Sequence, residues 1–137
     1  MRKKIVFYDP FPRILQFYRE VFEIKKNKDD YEFIYFIKLF AAERYIEDNQ
    51  GDVELFVCGL HMKVRSGYDI AKLFLDKYPL IPIVILTTDV LSKMAYDVGC
   101  LPNVLYVDKK ENVSVLRDVV DFLLINFEEL RLDVCRD

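Results

Sequence analysis

The stretch 53-VELFVCGLHMKVRSGYDI-70 decides how this chain folds. Its first six residues are almost wholly apolar, as expected of a strand covered on both faces. Cys58-Gly59 ends the run, a loop follows, and from Gly67 the apolar positions recur at helical spacing as far as Pro79. The segment therefore reads as strand, loop, helix, with the strand at 53–58 and the helix at 67–78.

The same unit repeats on either side. KIVFY at 4–8 is a short run of β-branched and aromatic residues that stops at Asp9-Pro10-Phe11-Pro12. Ile14, Leu15, Phe17, Tyr18, Val21 and Phe22 then mark an amphipathic helix with Pro12 in its first turn. YEFIYFI at 31–37 reads as a strand and 39–49 as a helix with apolar positions Phe40, Ala41, Tyr45 and Ile46. IPIVIL at 81–86 reads as the fourth strand. Thr88-Asp89 caps a helix bearing Val90, Leu91, Met94 and Val98, which Gly99 stops. Residues 104–107 form the fifth strand, and 111–131 a long last helix. Five strand–helix units with short connections predict an α/β, three-layer (βα)5 fold: a doubly wound, parallel, five-stranded sheet. Functional crevices of such sheets lie at the carboxyl ends of the strands.

Composition narrows the function classes. At 137 residues the chain is expected to form one domain, and 53% hydrophobic residues exclude a disordered chain. The net charge of −3 gives no basic field for nucleic acid; the short runs Arg2-Lys3-Lys4 and Lys25-Lys26-Asn27-Lys28 read as a solvated terminus and loop. Cys58, Cys100 and Cys135 have no metal-type spacing and are expected to be reduced thiols, Cys58 as a small buried strand residue. No apolar run reaches transmembrane length and no signal-peptide pattern precedes the first strand, so a cytoplasmic protein without membrane contact is expected. Glycine-rich phosphate loops and a G-x-S-x-G elbow are missing from the sequence, and His61, its one histidine, reads as a loop residue.

Asp9 after the first strand, Gly59-Leu60-His61-Met62 followed by Gly67, Thr87 after the fourth strand, and Tyr106 and Lys109 at the fifth come in order along the chain. Together with the five units, they make residues 3–131 resemble the receiver domains of bacterial response regulators, which are flavodoxin-like. In that family two adjacent acids after strand one and an acceptor aspartate after strand three hold Mg2+, a hard cation that takes oxygen ligands. A Thr contacts the phosphoryl group and a Lys pairs with the acceptor. The resemblance assigns these roles to Asp9, Thr87 and Lys109, but puts Pro10 at the second acid and Gly59 at the acceptor. Lys63 and Lys110 stand where prolines usually follow.

Gly59 has no side chain to phosphorylate, and one remaining carboxylate is a poor basis for holding Mg2+. The resemblance thus implies a vestigial site (Asp9, Pro10, Gly59, Thr87, Lys109), no catalytic residues and no cofactor. Asp52, Asp69, Asp89 and Asp108 do not restore the acceptor pattern. In the family, output runs through helix four, strand five and helix five, with Thr87 and Tyr106 resembling the switch pair. On the last helix Val113, Leu116, Val120, Leu123, Leu124 and Phe127 form a stripe for the sheet. Val115, Val119 and Phe122 form a second stripe, suited to a protein partner or a homodimer contact. The expectation is a pseudo-receiver in two-component-type signalling that works by docking. Two alternatives are phosphorylation on a non-standard acid and small-anion binding in the vacated crevice.

Overall fold

The computed structural model describes residues 3–22, 31–59, 65–87 and 101–108. Five strands, β1 (Lys3–Tyr8), β2 (Tyr31–Phe36), β3 (Val53–Gly59), β4 (Ile83–Thr87) and β5 (Val104–Asp108), form one sheet in the order β2-β1-β3-β4-β5. Every pairing is parallel. Three described helices connect them: α1 (Pro12–Phe22), α2 (Leu39–Asp48) and α3 (Gly67–Lys77). The helices expected at 88–98 and 111–131 lie outside the described residues.

Alternation along the strands splits the core into two layers. Val6, Tyr8, Phe56, Cys58, Ile83 and Ile85 meet Ala42 and Ile46 of α2 and Ile70, Ala71 and Phe74 of α3. The intervening residues Ile5, Phe7, Leu55, Val57, Val84 and Leu86 meet Leu15 and Tyr18 of α1 on the opposite face. Helices on both faces explain why Leu55 to Cys58 of β3 and Ile83 to Leu86 of β4 are apolar at successive positions rather than at every second one. Aromatic contacts anchor each layer: Phe7 lies 4.8 Å from Tyr35 and 5.5 Å from Tyr18, while Phe56 lies 4.7 Å from Phe74.

Two sequence expectations need correction. The fourth strand begins at Ile83, not Ile81, because Tyr78 to Ile81 is a turn closed by Ile81 N–H donating to the Tyr78 carbonyl at 3.1 Å. Pro82 has no N–H to give a ladder, although its carbonyl accepts from Phe56 N–H at 3.0 Å. In α2 the buried side is Ala42 and Ile46, whereas Phe40 is 66% exposed. Phe40 sits six residues before Ile46, well round the helix from it, so it cannot share the face that Ala42 shares at the i, i+4 spacing.

Candidate functional site

The strand order reverses between β1 and β3, so the crevice of this fold opens where those two strands end. Phe7 pairs with Val57, and continuing both strands by two residues brings Asp9 level with Gly59. Gly59 pairs in turn with Leu86, and Thr87 with Asp108. Asp9, Gly59, Thr87 and Asp108 thus share the carboxyl edge of the sheet. Tyr106 lies within β5, opposite Ile85. Lys109, Val115, Val119 and Phe122 lie outside the described residues.

Asp9 is 3% exposed. Its backbone N–H extends the β1–β2 ladder to the Phe36 carbonyl at 3.1 Å, and its Oδ1 accepts from Phe11 N–H at 2.9 Å. That second bond is an Asx turn, which reverses the chain toward α1. The Phe11 carbonyl then accepts from Ile14 and Leu15 N–H at 3.0 and 3.3 Å, opening the helix. One carboxylate oxygen is therefore already engaged in building the loop. Beside it, Pro10 and Gly59 carry no side-chain oxygen. This set does not fit a hard divalent cation, which seeks several oxygen ligands. No group of three or more metal-ligating side chains occurs among the described residues.

The glycine of β3 has a partner that spacing alone did not explain. Gly67 opens α3 directly against the Gly59 carbonyl: a Cβ on Gly67 would overlap that oxygen and come within 3.2 Å of Ile85 Cδ1. Ser66 caps the same helix, its Oγ accepting from Asp69 N–H at 3.1 Å. Asp69 sits in the first turn of α3, with its backbone N–H taken by that cap.

Asp9 is buried, and its charge acts on the neutral groups around it. Burial first, then the charge of Asp9 and then Cys58, raise the Tyr8 phenol above its ordinary value and the Tyr18 phenol well above it. Burial and Asp9 likewise push the Cys58 thiol up, which fits its place as an inert strand residue. Tyr18 was legible only as one apolar position on a helix, since its approach to the strand ends depends on α1 packing across β1.

These shifts have a definite sign. Each group is held neutral in the folded protein, so its contribution is fully present below the unfolded values of 10.0 for tyrosine and 9.0 for cysteine. It is lost as the pH rises above them, because the unfolded chain then releases protons that the folded one keeps. Alkaline titration followed by phenolate absorbance and circular dichroism is expected to show Tyr18 ionising together with unfolding. A Tyr18→Phe variant whose alkaline transition is unchanged would contradict this.

No protein-family model and no curated protein matches the sequence. Solved structures do match, and they define the class: the fold is the flavodoxin-like fold of response regulator receiver domains. A CheY-like receiver domain protein from Methanospirillum hungatei JF-1 superposes with TM-score 0.74 at 16% identity, covering 94% of this chain and 98% of that one. A response regulator receiver domain protein from Clostridium thermocellum gives 0.71 at 19%, covering 93% and 98%. The BeF3-activated DrrB receiver domain gives 0.64 at 21%, covering 91% and 99%. Among the described residues, no helix is long and apolar enough to cross a membrane.

Proposed function

We propose that residues 1–137 form a single receiver-like domain with a vacated acceptor site, acting as a phosphorylation-independent protein–protein interaction module in two-component-type signalling. The observation that carries this reading is Gly59 at the end of β3, level with a buried Asp9. A strand end without a side chain offers nothing to phosphorylate, and Pro10 withdraws the second acid. Asp9 remains because the Asx turn onto Phe11 N–H needs it. On this reading the chain is not an enzyme, holds no Mg2+ and works in the cytoplasm without nucleic acid. Thr87, Tyr106 and Lys109 are remnants of the switch, and conformation is set by contacts.

The docking surface is then the face formed by the fourth helix, β5 and the last helix, with Val115, Val119 and Phe122 as its apolar contacts. Affinity capture comparing the unaltered protein with Phe122→Glu tests this. The unaltered protein is expected to retain a histidine kinase, receptor or regulator that the variant loses, while both melt at the same temperature. Equal retention by the two proteins would remove the last helix from the docking surface.

A further inference from the structure

The amino-terminal edge of the sheet, opposite the crevice, carries a second feature. Pro79 and Leu80 are the central residues of the turn between α3 and β4, which the Ile81 N–H to Tyr78 carbonyl bond closes at 3.1 Å. Proline at the first central position suits such a turn, but the next one ordinarily takes a small polar residue or glycine. Here it is leucine, 94% exposed. Nothing in the turn requires an apolar side chain there.

Leu80 stands on the rim of a groove of about 340 Å3 between the start of β3 and the end of α3. Its lining includes Val53, Tyr78 and Ile81, each less than 10% exposed. Glu54 and Lys77 stand on the same lining. Neither forms an ion pair with another described residue, the one such pair being Lys4–Glu32 at 3.0 Å. One patch thus contains a projecting apolar knob, an apolar hollow and one charge of each sign.

That combination is what an isologous contact demands. Across a two-fold axis a patch meets itself, so it must hold both the knob and the hole, and opposite charges pair twice. We propose that two copies of this chain associate through this edge. Leu80 of each copy enters the groove of the other, and Glu54 of one copy faces Lys77 of the other. The lining comprises nine residues, fewer than the 20–30 a side of a standard stable interface, so the dimer is a weak and reversible one. It turns both crevices outward, since the groove lies at the opposite edge of the sheet. This contact is separate from docking through Phe122 and stands or falls independently of it.

Sedimentation of the full chain across a concentration series up to millimolar tests the proposal. The unaltered protein is expected to dimerise reversibly. Leu80→Arg, a substitution at an exposed turn that leaves the fold intact, is expected to weaken association by at least about tenfold, since each change counts twice in the interface. Glu54→Lys and Lys77→Glu should each weaken it about as much, and the two together should return it to within about threefold of the original. A protein that stays monomeric throughout would overturn the proposal. So would a Leu80→Arg protein that dimerises normally, a double reversal that fails to recover, or a dimer lost with Phe122→Glu but kept with Leu80→Arg.

Discussion

Replacing Gly67 with alanine is expected to lower the unfolding midpoint by about 10 °C, corresponding to roughly 3 kcal/mol in a domain of this size. The direction is informative, because in the first turns of a helix alanine ordinarily stabilises over glycine by about 0.5–1 kcal/mol. Here the added methyl would overlap the Gly59 carbonyl oxygen and crowd Ile85 Cδ1 at 3.2 Å. The oxygen cannot swing aside freely, since Gly59 is paired to Leu86 of β4. Nor can α3 withdraw cheaply: Ile70, Ala71 and Phe74 are buried beneath it, and Ser66 caps it from the same end. Gly51→Ala is the control. A Cβ there meets nothing within 4 Å, so its melting curve should be nearly unchanged. A Gly67→Ala protein as stable as the parent would show that α3 does not sit against the end of β3.

Much of the architecture was legible because the first and third strands are bounded by unambiguous breakers. Asp9-Pro10, Gly51-Asp52 and Gly59 delimit β1 and β3 in sequence as they do in space. Those breakers put Asp9 and Gly59 at strand ends; that the two strands are neighbours came from the sheet order of the structure. Where the reading slipped, local signals competed. An apolar run from Ile81 continued through Pro82, but the missing N–H moved the start of β4 to Ile83. Phe40 outweighed Ala42 in hydrophobicity, yet the helix phase that suits Val6 and Tyr8 buries the smaller residue.

Less of the site was legible, because its physics is non-local. The glycine at 67 has a reason only once the Gly59 carbonyl is placed against it. The resemblance makes Asp9 a cation ligand, but the hydrogen bond from Phe11 N–H gives it structural work of its own. The approach of Tyr18 likewise depends on α1 crossing β1, which no residue spacing encodes. The parts assigned to Lys109, Val115, Val119 and Phe122 lie outside the described residues.

The other large effect is a gain. Gly59 is not at positive φ, so its backbone conformation accepts an L side chain, and Pro10 is the central residue of an Asx turn whose hydrogen bond joins its neighbours Asp9 and Phe11. Installing aspartate at both Pro10 and Gly59 restores three carboxylates at the ends of β1 and β3, the oxygen-rich set that a hard divalent cation needs. The doubly substituted protein is expected to acquire a phosphoryl group from acetyl phosphate in a Mg2+-dependent reaction. Pro10→Asp alone should acquire none, because the acceptor is still missing.

Intact mass after incubation with acetyl phosphate and Mg2+ is the measurement on which the account turns. The unaltered protein should keep its mass while the Pro10→Asp, Gly59→Asp protein gains one phosphoryl group. A stoichiometric adduct on the unaltered protein, lost when Asp9 becomes asparagine, would contradict a vacated site and make this chain a phosphorylatable receiver with an acceptor other than residue 59.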